Sequence, residues 1–362
     1  MKVLLGLKLT SDDLMRTEVI ALKNAFNVKQ LIVMTDKKYK TEIVGAKYFY
    51  LNSAISKLPI LRVFARIPIM LKICLKEKID LLICYHLTSY GFAGFIISRV
   101  LRIPLSVHFL GKDIDILCRL PIFGNLLIRA AKSIELLTVQ GKNSKSFLKK
   151  KKLKNVCIIP TAYDANKFQP RQNSIKYHLI SVGRLSKEKR IDRFIEVVYI
   201  IRKKKDSIKA LIVGSGPQEK KILRMINNYG LNDCIHCTGW KNDVSKFLSL
   251  AKIFVLTSDN EQLPSSLLEA MAMGLVPVVS NVGNLSDVVD IYSTIDIKNN
   301  CKQIFADKIL ELLADNNLYK KLSTNSINKV KKFTTEANSI RWEYVIDNLK
   351  EQKSSKRSIG KY

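Results

Sequence analysis

Two carboxylates eight residues apart, Glu261 and Glu269, bracket the run Gln262-Leu263-Pro264-Ser265-Ser266-Leu267-Leu268. Pro264 suits the first position of a helix, where its missing N–H costs nothing. The backbone amides that follow, from Ser265 onward, lack intrahelical partners and form a cradle for an anion such as a phosphate. Glu269 then falls inside an otherwise apolar helix. A carboxylate is costly to bury there unless it has partners, and a pair of neighbouring hydroxyls would serve. Glu261, just ahead of the helix, is placed to bind hydroxyls or to face a developing positive charge.

Cations precede this pair. Gly183-Arg184-Leu185-Ser186-Lys187-Glu188-Lys189 follows an apolar run and opens a helix. Gly183 permits a tight turn, and Arg184 and Lys189, five apart, can both reach one anionic group. A diphosphate carries enough charge to use two cations, and arginine adds a planar fork. Gly214-Ser215-Gly216-Pro217 follows the next apolar run, with Gly214 and Gly216 letting backbone approach a ligand. It lacks the third glycine of a dinucleotide fingerprint, and no phosphate-loop lysine pattern occurs, so neither a Rossmann dehydrogenase nor a P-loop enzyme is indicated.

Other titratable groups are weaker. His108 and Asp113 lie near one another in Val107-His108-Phe109-Leu110-Gly111-Lys112-Asp113 and are candidates for a catalytic cleft. Asp113-Ile114-Asp115 mimics a metal-binding pair, but nothing else supports a metal. Cys234-Ile235-His236-Cys237 has half a zinc spacing with no second pair, and reads as a buried strand.

Parallel α/β architecture must position these residues. Apolar runs at Tyr177–Val182, Ala210–Val213, Ile235–Thr238, Ile253–Thr257 and Val276–Ser280 alternate with segments of helical periodicity, among them a helix from Ser265 to Met273. This βαβα order implies a parallel sheet covered on both faces. The first half repeats the logic, with strands expected at Val3–Leu7, Leu31–Met34, Leu81–Cys84, Leu105–Phe109 and Val156–Ile159. Pro160 to Pro170 carries turn residues and marks the start of a linker. The expected fold is α/β, two tandem Rossmann-like doubly wound domains with a cleft between them. The expected domains are 1–168, 169–335, and a closing segment 336–362. In that segment a helix with Ile340, Trp342, Val345 and Ile346 on its apolar side packs back on the first domain, followed by a basic tail. Ligands of such sheets bind beyond the carboxyl ends of the strands.

Composition bounds the rest. The 362 residues fit two domains, and 47% hydrophobic with 25% charged residues suits a globular protein with a large core. The formal net charge of +30, spread over both halves, favours an anionic partner. Seven scattered cysteines with apolar neighbours suggest reduced thiols in a cytoplasmic setting. Met1-Lys2-Val3-Leu4-Leu5 reads as a first strand rather than a secretory signal. Leu81 to Ser98 holds no Asp, Glu, Lys or Arg, the length of a membrane span. His86, Thr88, Ser89, Tyr90 and Gly91 interrupt it, so strand, polar turn and buried helix is the expectation. Leu58 to Met70, Arg119 to Lys132 around Phe123, and the run Lys149 to Lys152 mix apolar bulk with cations. Such segments suit a protein resting on an anionic bilayer, here the inner face of the cell membrane.

The ordered set resembles the GT-B glycosyltransferases of the retaining family 4. It comprises Val182-Gly183-Arg184-Leu185, Val213-Gly214-Ser215-Gly216-Pro217, Thr238-Gly239-Trp240, Glu261 to Glu269, Ala270-Met271-Ala272-Met273-Gly274 and Pro277-Val278-Val279-Ser280. The resemblance implies a nucleotide-sugar donor whose diphosphate is held by Arg184 and Lys189. It places the ribose at Glu269, the transferred sugar at Glu261 and the base near Trp240. It implies backbone contacts from Gly183, Gly214, Gly216, Leu263, Pro264 and Ser265. It further implies a hexose-type sugar moved with retention, no metal and no other cofactor, and a lipid-linked or polysaccharide-precursor acceptor. Three departures stand out. Leu7-Lys8-Leu9-Thr10-Ser11-Asp12 stands where the family has a Gly-Gly loop near the N-terminus. Gly283-Asn284 replaces a paired glycine, and Leu110 occupies the place of the histidine before Gly-x-Asp, with His108 two positions earlier.

Two other classes compete. A nucleotide-sugar epimerase or hydrolase of the same architecture would act without an acceptor. A nucleic-acid-binding protein would explain the charge, but no recognisable nucleic-acid module occurs.

Overall fold

The computed structural model describes residues 1–9, 12–36, 38–39, 42–51, 59–111, 113–114, 117, 121–171, 173–298 and 300–359. The chain divides into two compact units, Met1–Ala162 with Thr335–Tyr362, and Tyr163–Thr334. The second unit is closed where the chain enters and leaves it. Tyr163 bridges Thr334, and its N–H donates to the Phe333 carbonyl at 3.0 Å. The sequence expectation set these boundaries at 168/169 and 335/336.

The first unit holds seven parallel strands: β1 (Lys2–Leu7), β2 (Gln30–Thr35), β3 (Ala46–Tyr50), β4 (Leu81–Tyr85), β5 (Leu105–Phe109), β6 (Leu136–Val139) and β7 (Val156–Ile158). Their order is β3-β2-β1-β4-β5-β6-β7, so the winding reverses between β1 and β4. Helices α2 (Pro59–Glu77), α3 (Phe92–Leu101), α4 (Pro121–Ala131) and α5 (Lys142–Lys150) share one core through Met70, Ile97, Ile128 and Leu148. The opposite core joins α1 (Asp12–Lys23) to the last helix, α12 (Thr335–Ile359).

Helix α12 is anchored by Trp342, Val345, Ile346 and Leu349, all buried against the first unit. Aliphatic side chains of this size gain roughly 1.5–3 kcal/mol each on burial. Asn338 adds a hydrogen bond from Nδ2 to the Pro160 carbonyl at 2.7 Å. Ile340 is not part of the apolar face; it is 67% exposed.

The uncharged stretch from Leu81 forms β4, one π-helical turn (His86–Gly91), and α3. Among the described residues, no helix is long and apolar enough to cross a membrane.

The second unit has six parallel strands: β8 (Tyr177–Val182), β9 (Ala210–Val213), β10 (Ile235–Cys237), β11 (Ala251–Leu256), β12 (Val276–Ser280) and β13 (Thr294–Ile295). The order β10-β9-β8-β11-β12-β13 again reverses between the first strand and the fourth. Helices α6 (Ile191–Arg202), α7 (Glu219–Asn228) and α10 (Cys301–Ala314) cover one face, with Phe194, Val198, Ile222 and Phe305 in that core. On the other face α8 (Ser245–Leu248) and α9 (Ser265–Ala272) bury Leu248, Leu267, Leu268 and Met271. Helix α11 (Asn316–Val330) is capped by Asp315, whose carboxylate accepts from the N–H groups of Asn317 and Leu318. Both sheets are thus doubly wound, and each has its reversal point at a carboxyl edge where side chains of several loops converge.

Candidate functional site

The carboxyl edge of the second sheet collects the loops after β8, β9, β10, β11 and β12, and backbone hydrogen bonds lock them together. Leu185 N–H donates to Ser215 O at 2.9 Å, and Gln218 N–H returns to Leu185 O at 2.9 Å. Gly214 N–H donates to Gly239 O, and Asp259 N–H to Glu188 O, each at 2.9 Å. At Gly214, a Cβ would lie 1.8 Å from the Gly183 carbonyl oxygen, and its φ is +145°. Only glycine lets these two loops approach so closely.

Lys189 and Glu261, 72 positions apart in sequence, meet at this edge because β8 and β11 are neighbours in the sheet. Lys189 Nζ lies 2.5 Å from Glu261 Oε1, and Ser258 Oγ donates to the same oxygen at 2.7 Å. The Glu261 side chain is almost wholly buried, whereas Lys189 keeps a fifth of its surface exposed. Arg184 lies on the same loop as Lys189 and is exposed. The pairing leaves a buried carboxylate with its charge met and a cation at the rim.

A second layer fixes the loop that carries Glu261. Arg193 on α6 donates from Nη1 to the Thr257 carbonyl at 2.6 Å and from Nη2 to Asp259 at 2.7 Å. Arg190 binds Asp259 at 2.9 Å and Asp192 at 3.0 Å. Burial pushes the Asp259 carboxyl up, but hydrogen bonds and charge from Arg190 and Arg193 prevail and hold it below its ordinary range. It therefore stays ionised and the latch stays closed. Arg190, Arg193 and Asp259 were not singled out from sequence. The available signal was Arg193 itself, a cation among Ile191, Phe194, Ile195 and Val197 on a buried helix face.

From the other side, the loop after β12 grips the same segment. Asn284 N–H donates to Gln262 O at 3.1 Å, and its Nδ2 to Gln262 Oε1 at 3.0 Å. Gly283, at φ +59°, passes so close that a Cβ would sit 1.6 Å from the Glu261 carbonyl oxygen. Asn284, where the resembled family has a second glycine, is fully buried and serves as a tie between loops.

Pro264 is the N-cap of α9, with φ −70° and ψ 135°, and not its first helical residue. The helix begins at Ser265, so its leading amides stand directly after Leu263 and Pro264 at the carboxyl edge. Glu269 is 7% exposed within α9. Trp240, on the loop after β10, is 57% exposed, and its Nε1 donates to Asn242 Oδ1 at 3.3 Å.

The first unit holds the candidate histidine. His108 lies within β5, 1% exposed, with Nδ1 2.9 Å from Thr138 Oγ1 and its ring 4.6 Å from that of Tyr85. Burial, aided by the charge of His86, pushes its pKa down to about 3. His108 is thus an enclosed imidazole close to the carboxyl end of β5. His86 stands instead at the carboxyl end of β4, at φ +65°, with its side chain 21% exposed. Asp113 Oδ2 holds its Nδ1 at 3.1 Å. Asp113 also accepts from Leu87 N–H at 3.0 Å and Leu110 N–H at 2.9 Å.

Asp115 lies outside the described residues. Among the described residues, no group of three or more His, Cys, Asp or Glu side chains is gathered to hold a metal. Cys234 is buried at one end of β10, and burial raises its thiol pKa.

Residues 163–329 match the family described as Glycosyl transferases group 1. The chain is 22% identical to N-acetyl-alpha-D-glucosaminyl L-malate synthase of Bacillus anthracis, over 79% of this chain and 80% of the relative. It is 27% identical to UDP-Gal:alpha-D-GlcNAc-diphosphoundecaprenol alpha-1,3-galactosyltransferase of Escherichia coli, over 68% and 71%. Anabaena HepE, solved in complex with UDP-glucose, superposes with a TM-score of 0.79 at 16% identity, covering 97% of this chain and 100% of its own. The doubly wound units, the loops gathered at the second sheet's carboxyl edge and these likenesses agree: the chain is a glycosyltransferase of the GT-B fold, and its second unit carries the group 1 pattern.

Proposed function

We propose that the chain transfers a hexose from a nucleoside-diphosphate sugar to a lipid-linked or polysaccharide-precursor acceptor, with retention at the anomeric carbon as in family 4. The observation that carries this reading is the junction of Lys189, Glu261 and Ser258 on the edge where α9 begins. Arg184, Lys189 and the leading amides of α9 hold the diphosphate, and Gly183, Gly214 and Gly216 keep backbone close to it. Glu269 binds the ribose, Trp240 borders the base, and Glu261 faces the sugar. As the bond from the anomeric carbon to phosphate lengthens, negative charge grows on the leaving diphosphate. Fixed cations and helix-end amides stabilise that charge without a metal ion. The positive charge growing on the sugar ring meets the Glu261 carboxylate.

A panel of nucleotide sugars tests this by thermal denaturation, because a ligand that binds only the native state raises its melting temperature. One nucleoside-diphosphate hexose is expected to stabilise the chain by about 2.7 kcal/mol at a hundred times its Kd. A flat response across UDP-, GDP-, ADP- and dTDP-hexoses would remove the donor assignment.

The first unit supports the membrane part of the proposal. Phe64, Leu75, Phe92, Val100 and Leu126 are exposed on α2, α3 and α4, which belong to one helix layer. Helix α5 of the same layer and the turn after it expose Lys142, Lys149, Lys150, Lys151 and Lys152. Apolar contacts with a lysine-rich margin suit the anionic inner face of a cell membrane. The chain is expected to float with phosphatidylglycerol vesicles at low salt and to be released at high salt. Failure to float at low salt would contradict this part.

A further inference from the structure

The first sheet also reverses, between β1 and β4, and the residue that follows β4 at that crevice is His86. It opens the π-helical turn at φ +65°, a left-handed conformation that glycine adopts at less cost. Gly91 closes the turn so tightly that a Cβ there would lie 2.8 Å from the His86 carbonyl oxygen. The loop after β5 reaches the same turn through Asp113. Its carboxylate takes the Leu110 N–H at 2.9 Å and, on the other oxygen, the Leu87 N–H at 3.0 Å. Asp113 N–H returns to the Leu110 carbonyl at 2.9 Å. These backbone bonds tie the two loops without help from the histidine.

The His86 ring adds something the tie does not require. Asp113 Oδ2 lies 3.1 Å from Nδ1, on a side chain closed off from solvent, while the ring keeps a fifth of its own surface exposed. A carboxylate only accepts, so Nδ1 carries the hydrogen, and in the neutral ring Nε2 keeps its lone pair. The result is a fixed acceptor at the crevice where doubly wound sheets take their ligands. With a carboxylate directly behind it, the pair offers no net positive charge to a phosphate. A hydroxyl, which donates one hydrogen and carries no charge, matches it. Backbone held in a sparsely populated region persists only where its surroundings enforce it, and such residues cluster at ligand contacts.

We infer that His86, oriented by Asp113, binds a sugar hydroxyl of the acceptor through Nε2. The assignment to an acceptor rests on the glycosyl-transfer reading above. A transferase takes two ligands, and the residues assigned there to the nucleotide sugar, among them Arg184, Lys189, Glu261 and Glu269, belong to the second unit. The reversal edge of the first sheet is left for the other ligand. His86 touches that ligand, and Asp113 is a positioning residue that fixes the tautomer and direction of the ring.

Two variants of the full-length chain test this. His86→Asn keeps an N–H donor for Asp113 and tolerates the left-handed backbone, but lacks Nε2. His86→Gly removes the ring and suits that backbone better than histidine. Both are expected to melt near the wild-type temperature, with the loops still tied through Leu87 and Leu110. Octyl glucoside, octyl galactoside and octyl N-acetylglucosaminide, below their micelle concentrations, are titrated into each protein by saturation-transfer NMR. The nucleotide sugar selected by the thermal panel is titrated by calorimetry. At least one glycoside is expected to bind wild type, and each variant is expected to weaken it about tenfold, the scale of one hydrogen bond, with nucleotide-sugar affinity unchanged. Equal glycoside affinity in wild type and both variants, or no glycoside binding by wild type, would overturn the inference. A loss confined to the nucleotide sugar would move His86 to the transferred sugar and overturn the acceptor assignment. Wild type that binds glycosides through His86 but no nucleotide sugar would sink the donor assignment and leave His86 standing as a hydroxyl-binding residue.

Discussion

Changing Glu261 to glutamine is expected to lower kcat by about 10²–10³, the cost of losing one preorganised electrostatic partner of a transition state. The substitution preserves shape. Ser258 retains a partner, and the loop stays tied by Asn284 to Gln262 and by Gly283 beneath Glu261. The melting temperature is therefore expected to move by only a few degrees, about 1 kcal/mol or less. The sign of the binding effect is informative. In the free chain Glu261 holds Lys189 at 2.5 Å and competes with a phosphate for it. Removing the carboxylate charge releases that lysine, so nucleoside-diphosphate affinity is expected to hold or to rise while turnover falls. Steady-state rates with separate kcat and KM check this. Wild-type turnover in the glutamine variant would exclude Glu261 from the reacting centre, and a loss confined to KM would make it a binding residue only.

The second unit was legible because its signals do not conflict. Tyr177–Val182, Ala210–Val213 and Val276–Ser280 are fully or largely buried runs closed by glycine or polar residues, and their expected bounds coincide with β8, β9 and β12. The strands missed were those with weak patterns. Ala46–Tyr50 is half-buried at a sheet edge, Leu136–Val139 spans four residues, and Thr294–Ile295 spans two. In the site, residue types could be chosen but not their pairing. Nothing in the spacing says that Lys189 reaches Glu261; that follows from the reversal of strand order between β8 and β11. The surroundings of the histidines were hidden for a similar reason. All of β5 is buried on both faces, so alternation cannot say whether His108 points to a site or into the core. His86 sits at a left-handed residue in a π-helical turn, a conformation that its local sequence does not announce. Asn284 resembled a lost glycine and proved to be a tie between loops.

Alanine at Arg184 and at Lys189 is expected to have the other large effect. A hydrogen bond to a charged group contributes about 1.5–3 kcal/mol, so each change should weaken nucleoside-diphosphate binding by about tenfold to a hundredfold. Arg184 is exposed and Lys189 lies at the rim, so neither change opens a cavity. Lys189→Ala alone strands the nearly buried Glu261 carboxylate, which adds a stability cost that Arg184→Ala lacks. The two variants should therefore agree in binding and differ in melting temperature.

Whether cations from the β8 loop grip the diphosphate of an activated sugar is decided most directly by calorimetry on the full-length chain. The nucleoside diphosphate selected by the thermal panel and its monophosphate are each titrated into wild type and the Arg184→Ala, Lys189→Ala double variant. The expected result is a wild-type preference for the diphosphate that disappears in the double variant, with diphosphate affinity down by about a hundredfold or more. Equal diphosphate binding by the two proteins would contradict the account.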